Sequence, residues 1–269
     1  MIWPAEDLWL DLVALQPGLT VEVLPSIDST NTELMRRARA GQTEPVLLVA
    51  EQQTAGRGRL GRPWQGDVGA ALTFSLGLML QPRDWSGLSL AVGVSLVQSL
   101  DPQGDLGLKL KWPNDLWVKR PHTPEGWGKL AGILIETALP TGSSYSADAP
   151  RYCVVGVGIN IAPPQAQGLS TAPLGLRDLQ DGVDAPHTLA RVAKPLLATL
   201  QQFEREGFAP WQAAFNARDA LAQTAVTLSD GRHGVAQGVD AGGGLLVRTE
   251  QGMEVVTSAE VSVRPIMQP

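Results

Sequence analysis

One cysteine in 269 residues leaves no disulfide framework to brace this chain. Cys153 lies in the apolar run Tyr152-Cys153-Val154-Val155, where a thiol reads as core filler. The three histidines, His122, His187 and His233, are far apart, and none has the helical or Cys-paired spacing that builds a zinc site. Positive charge is also scarce: 21 Lys and Arg stand against 27 Asp and Glu, a net charge of -6, so nothing pulls the whole chain toward nucleic acid or an anionic membrane. No DNA partner is expected. No run approaches the roughly 20 apolar residues of a membrane span. The opening residues, Met1-Ile2-Trp3-Pro4-Ala5-Glu6-Asp7, lack the basic and apolar regions of a signal peptide, and the expected setting is soluble, reducing and cytoplasmic.

The elements follow from periodicity. Thr30-Asn31-Thr32-Glu33 reads as a capping box opening a helix over 31–40, with Gly41 as its stop. The β-branched run 46–50 predicts a buried strand, and strict alternation of Leu72, Phe74, Leu76, Leu78 and Leu80 predicts a half-buried one. A helix is expected over 88–99 and a strand over 106–112 that puts Lys109 and Lys111 on one face. Further strands are read at 131–137 and 152–161, with residues 140–150 as a hairpin loop and 163–176 as a second loop. Residues 189–203 carry a helical stripe that Pro195 should kink or break near Lys194, and a second helix carries Trp211 and Phe215. Beyond Ala222 the texture changes to short alternating runs, Val226/Leu228, Val235/Val239, Leu245/Val247, Val255 and Val261/Val263, with turns at Asp230-Gly231 and Gly242-Gly243-Gly244. The expected architecture is an α+β domain over 1–222, with a mixed or antiparallel sheet, followed by an SH3-like β-barrel over 223–269.

Three stretches carry chemistry. In Glu51 to Trp64, three arginines separated by glycines make a loop whose backbone can approach a ligand while guanidinium groups meet phosphate or carboxylate oxygens. A solvated basic loop has the same composition, and Trp64 at its end is either a core anchor or a stacking platform for a flat base. Lys111-Trp112-Pro113-Asn114-Asp115 ends a strand with amide and carboxylate groups, and Lys129 opens the next strand beside Ala131 and Gly132, placed to aim an ammonium into a cleft. In Val155-Gly156-Val157-Gly158-Ile159-Asn160, glycines within a strand mark close approach by a ligand or another backbone. No helix follows, so this is not a dinucleotide fingerprint.

Taken in order, Asp28-Ser29-Thr30-Asn31, Gly56 to Trp64, Lys111 to Asp115, Lys129 to Leu134 and Gly156 to Asn160 resemble the biotin protein ligases, over about residues 20–265. The resemblance implies a class II synthetase-like catalytic domain with a C-terminal SH3-like domain. It implies ATP-dependent activation of biotin to biotinyl-5'-AMP, with Mg²⁺, and transfer to a lysine of the biotin carboxyl carrier protein of acetyl-CoA carboxylase or a similar enzyme. Ser29, Thr30, Asn31, Gln53, Gly56, Arg57 and Gly132 would line the biotin site. Arg59, Trp64, Asn114, Asp115, Lys129 and Asn160 would hold the adenylate, with Trp64 on adenine and Asp115 near a metal or amine. Lys129, Arg59 and Lys111 would supply catalytic charge. Fewer than thirty residues precede Asp28, so the likeness is to the enzyme-only group without a DNA-binding domain, and it leaves room for a homodimer. The same superfamily contains lipoate and octanoate ligases or transferases, and a non-catalytic biotin-sensing protein is a third reading. The stretch Gln65 to Ala71 follows the family pattern loosely, and Lys119 to Gly128 is a longer insert, expected as an extended turn.

Overall fold

The computed structural model describes residues 1–120, 126–140, 146, 149–164, 172–228, 231–257 and 263–265. Helix α1 (Ala5–Val13) and strand β1 (Thr20–Leu24) precede the first expected element. Then come α2 (Thr30–Arg39), β2 (Val46–Ala50), β3 (Ala71–Leu80), α3 (Leu88–Leu100), β4 (Leu108–Lys111), β5 (Asp115–Lys119), β6 (Trp127–Ala138), β7 (Arg151–Asn160) and the short β8 (Ala172–Pro173). These strands form one mixed sheet in the order β1-β2-β3-β7-β6-β5-β4, with β8 beside β6. Its β1–β2 and β6–β8 pairs are parallel and the others antiparallel.

Helix α4 (Ala185–Glu206) packs with α3 on one face of this sheet, and α1 packs on β1 and α4. The opposite face receives α2 over β3, β7 and β6. That division explains why β3 is buried on both faces and not half-buried. Leu72, Phe74 and Leu76 enter the main core, while Thr73 and Ser75 lie beneath the loop and helix on the other side. There the Thr73 hydroxyl donates to the Ala50 carbonyl at 2.9 Å, so the polar residues are satisfied in a buried setting.

Other expectations need correction. The helix cap is Ser29, whose Oγ accepts from the Thr32 amide at 3.4 Å; Glu33 therefore falls one position too late for a capping box and pairs with Arg36 and Arg37 instead. The break near Lys194 does not occur, and helix α4 continues through Pro195: the ring lies on its exposed side, where water can reach the carbonyl deprived of its donor, while Leu196, Leu197 and Leu200 hold the apolar face in the core. Strand β4 covers only 108–111, and the chain turns at once through Trp112-Pro113-Asn114 into β5, a strand the sequence reading did not contain. Strand β6 begins at Trp127, so the end of the expected insert is strand; its residues 121–125 lie outside the described residues, as do parts of the loops read at 140–150 and 163–176, Asp230 and Val261.

After α5 (Gln212–Arg218), a second, five-stranded antiparallel sheet is built from β9 (Ala225–Leu228), β10 (His233–Val239), β11 (Leu245–Thr249), β12 (Gly252–Val256) and β13 (Val263–Pro265), in the order β12-β11-β10-β9-β13. This fits the expected SH3-like module. Its Val226, Leu228, Val239 and Leu245 share one apolar cluster with α3 and α4, and buried Trp112 donates its indole N–H to the Gly243 carbonyl at 3.1 Å. The turn that ends β4 is thus braced by the C-terminal sheet. Among the described residues no helix is long and apolar enough to cross a membrane, and no cluster of three or more His, Cys, Asp or Glu could hold a metal.

Candidate active site

A polar cradle forms where the first turn of α2 meets the middle of the sheet. Ser29, Thr30 and Asn31 are all buried, and each is held by a specific partner. The Thr30 amide and hydroxyl both donate to Gln53 Oε1, at 2.7 and 3.1 Å. The Ser75 hydroxyl of β3 lies 2.7 Å from Thr30 Oγ1 and 2.6 Å from Asn31 Oδ1. Asn31 gives its two amide protons to the Leu134 carbonyl, at 3.1 Å, and to Glu136 Oε2, at 3.0 Å. A glycine is required opposite it: a Cβ on Gly156 would sit 2.1 Å from Asn31 Oδ1. The strand glycines of β7 therefore serve close approach by side chains of the protein itself.

The arginine loop closes over this floor. The Trp64 amide donates to the Gly56 carbonyl at 2.8 Å and the Gly58 amide to the Arg62 carbonyl at 2.7 Å, which makes residues 56–64 a narrow hairpin with Leu60 and Gly61 in the left-handed region at its tip. Gly56 is needed at its base, since a Cβ there would lie 2.4 Å from the Trp64 carbonyl oxygen. The Trp64 indole is half-buried on the bare backbone of β7 and β6, 2.4 Å from where a Gly158 Cβ would be and 3.4 Å from that of Gly132. It is thus anchored over the central strands of the sheet and also borders the site. Arg57 bridges outward, its Nε donating to Thr32 Oγ1 at 3.1 Å and its terminal nitrogen pairing with Glu136 at 3.1 Å. Beside these groups opens a cavity of about 400 Å³ lined by Asp28, Thr32, Met35, Arg39, Ala55, Arg57 and Glu136.

Toward β4 the same face becomes cationic. Register places Lys111 opposite Asp115, Asp115 opposite Gly132, and Trp117 opposite Lys129. The Lys129 ammonium pairs with Asp115 at 2.7 Å and lies 5.9 Å from the centre of the Trp64 ring. Lys111 is almost wholly buried, its ammonium 5.6 Å from the Trp117 ring, and burial pushes its pKa down to about 8, with Asp115 opposing and Lys129, Arg59 and Arg62 adding repulsion. Burial likewise lowers the pKa of Arg59 against the pull of Asp115. Three cations, Lys129, Lys111 and Arg59, therefore act on one carboxylate, Asp115, with the positive charge of Arg62 close to Lys111 and Arg59, and such a surplus of positive charge in a partly desolvated cleft suits a polyanion.

Asn114 and Asn160 brace the strand that carries Lys129. Asn114 donates to the Ile133 carbonyl at 2.8 Å and Asn160 to the Lys129 carbonyl at 3.2 Å. The structure gathers Thr30, Asn31, Gln53 and Arg57 of the expected residues around the cradle, and Lys111, Asp115, Lys129, Trp64 and Gly132 around the cationic part of the face. It adds Ser75, Trp117 and Glu136. Ser75 carried a signal, as the polar partner in the alternation of β3; Glu136 closes the otherwise apolar run Leu130 to Ile135, where a charge has to be explained.

Comparison with known proteins gives the arrangement a family. Residues 23–160 match the Biotin/lipoate A/B protein ligase family, and residues 225–264 match the Biotin protein ligase C terminal domain. The bifunctional ligase/repressor BirA of Escherichia coli strain K12 is 34% identical over 255 residues, covering 92% of this chain and 75% of its own. A biotin--[acetyl-CoA-carboxylase] ligase of Paracoccus denitrificans is 32% identical over 258 residues, covering 89% and 98%. The structure of the biotin protein ligase of Aquifex aeolicus in complex with biotin and ATP superposes with a TM-score of 0.74 at 27% identity, covering 93% of this chain and all of that one. With both domain models matched in order on a fold of the same kind, the chain belongs to the biotin protein ligase family.

Proposed function

We propose that this chain joins biotin to ATP as biotinyl-5'-AMP and then transfers the biotinyl group to a lysine of a biotin carboxyl carrier protein. The observation that carries this reading is the convergence of Lys111, Lys129 and Arg59 on Asp115, on the same sheet as the polar cradle of Thr30, Asn31, Gln53 and Ser75. In the first step an oxygen of the biotin carboxylate attacks the α-phosphorus of ATP, the P–O bond to the departing pyrophosphate breaks, and no side-chain base is needed. Two anions must meet, so the protein's task is alignment and charge neutralisation. Lys129, paired with Asp115 and close to Trp64, would bridge carboxylate and α-phosphate; Arg59 and Lys111 would draw charge toward the leaving group. Trp64 would offer a face to adenine, and Asn114 and Asn160 would keep Lys129 aligned through β6.

Mg²⁺ would arrive with the nucleotide. Asp115 is the carboxylate of the cluster that would face it, and the ion would screen triphosphate charge. In the second step the deprotonated amine of the acceptor lysine attacks the acyl carbon, the C–O bond to the phosphate breaks so that AMP leaves with the electron pair, and the new amide nitrogen gives up one proton. The loop 56–64 would keep water from the mixed anhydride during the wait. We divide the chain functionally at 222/223, assigning the chemistry to the first part, and place the activity in the cytoplasm.

The test is exchange of labelled pyrophosphate into ATP, with biotin, lipoate or octanoate as the acid. Exchange with biotin alone is expected; exchange driven by lipoate or octanoate and not by biotin would overturn the substrate assignment.

A further inference from the structure

We propose that Glu136 is a positioning residue of this reaction, a carboxylate that latches the arginine loop onto the biotin cradle; the inference rests on the biotin ligase reading above. Glu136 lies on β6, four residues beyond Gly132 and outside the cation cluster. Its side chain is only 25% exposed and joins three elements at once. One oxygen accepts from Asn31 Nδ2 of α2 at 3.0 Å, and both accept from the Arg57 guanidinium of the loop, at 3.1 and 3.2 Å.

Each of these contacts lands on a group with little freedom to find a substitute. Asn31 is buried, pressed on the backbone of Gly156, with Oδ1 beside Ser75 and its other proton on the Leu134 carbonyl; without an acceptor at Glu136 one buried N–H has no partner, and the amide is freed to turn. Arg57 belongs to a loop with glycines at 56, 58 and 61, whose ordering is entropically costly. Its bonds to Thr32 and Glu136 fasten that loop to the first turn of α2 and to the sheet. A ligand that rests on Thr30 and Asn31 and is covered by the loop would therefore be retained through Glu136, although Glu136 need not touch it. The cavity beside the cradle is lined by these same two latch residues, so opening the latch opens its wall.

The first arm of the test is biotin-dependent pyrophosphate exchange by the unmodified chain. No exchange overturns the functional reading and the latch with it. Given exchange, Glu136→Gln keeps an acceptor for Asn31 but removes the charge facing Arg57. It is expected to release biotinyl-adenylate about two- to fivefold faster, the range of a partly exposed ion pair, with the KM for ATP unchanged. The same substitution made on top of Arg57→Gln should add nothing, because the two act as one contact. Unchanged release in Glu136→Gln, or equal effects in the two backgrounds, overturns the latch while leaving the ligase reading intact. If Glu136→Gln does not fold, Arg57→Gln is read alone: faster release of the same size supports the latch, and unchanged release overturns it.

Discussion

Lys129 and Lys111 belong to one cluster but differ in what the fold asks of them. Lys129 is one-third exposed and ion-paired with Asp115, so its charge costs the fold little. We expect Lys129→Ala to fold normally and to lower the rate of adenylate formation by about 10²- to 10³-fold, the size of a lost transition-state contact. Pyrophosphate exchange measures it, and a rate near that of the unmodified chain would remove Lys129 from the mechanism. Lys111 is buried, with its pKa lowered from 10.5 to about 8 chiefly by desolvation. Below pH 8 it is charged both folded and unfolded, and the folded state carries the full cost. Between pH 8 and 10.5 the unfolded chain binds more protons, so stability rises with pH and the cost disappears. Lys111→Met should therefore stabilise the protein at pH 7, by about 1–3 kcal/mol, with a gain that shrinks toward pH 10, while activity falls. Thermal melts at the two pH values decide this: a pH-independent difference, or a loss of stability at pH 7, would mean that the buried charge is compensated.

At the scale of elements, the glycines of β7 are seats for two different side chains. A Cβ at position 158 would stand 2.4 Å from Trp64 Cε2, and one at 156 would stand 2.1 Å from Asn31 Oδ1. Both positions have ordinary strand conformation, and the β7 ladder should survive an added methyl. Gly158→Ala is expected to raise the KM for ATP at least about tenfold with a smaller effect on biotin, and Gly156→Ala to do the reverse, as losses of order 1–2 kcal/mol each. Titration of each variant with biotin and with ATP would show whether the two effects separate; parallel losses would contradict the assignment of distinct seats. These glycines also show what a sequence can reveal. The motif Val155-Gly156-Val157-Gly158 signalled close approach without saying what approaches, because Trp64 and Asn31 are brought in by separate elements more than ninety residues away in sequence. The helix at α2 and the strands at β2, β3 and β7 were readable because their periodicity is local. β5 was not, since Asn114-Asp115 carries turn chemistry that masks the strand starting at Asp115. Burial of Thr73 and Ser75 was likewise hidden: polar alternation points to solvent unless a helix is known to cover that face.

At the scale of the molecule, the two sheets meet at a buried acid. Asp219 follows α5, pairs as an isolated bridge with Leu110 of β4, and leads through Ala220, whose amide donates to the Leu110 carbonyl at 2.8 Å, toward the C-terminal sheet. One of its oxygens accepts from the Leu221 amide at 2.8 Å, and the other is buried without a hydrogen-bond partner among the described residues. Burial raises its pKa from 3.8 to about 6, against the opposing Leu221 amide and the charge of Lys109. The sign follows directly. Below pH 3.8 the group is protonated folded and unfolded and costs nothing. From there to pH 6 the folded state binds more protons, so stability falls as pH rises, and above pH 6 the cost of a buried carboxylate is complete. Asp219→Asn retains an acceptor for Leu221 and removes the charge, so it should stabilise the joined sheets by about 1–3 kcal/mol at pH 7.5, with no gain near pH 4. The turn at Trp112 and Gly243 ties the C-terminal sheet to the end of β4, two residues from Leu110, so the gain should appear in a single unfolding transition. Calorimetry at pH 4 and pH 7.5 tests both parts: a gain at both pH values would assign the effect to something other than Asp219 ionisation, and two separate transitions would show that the sheets do not unfold as one.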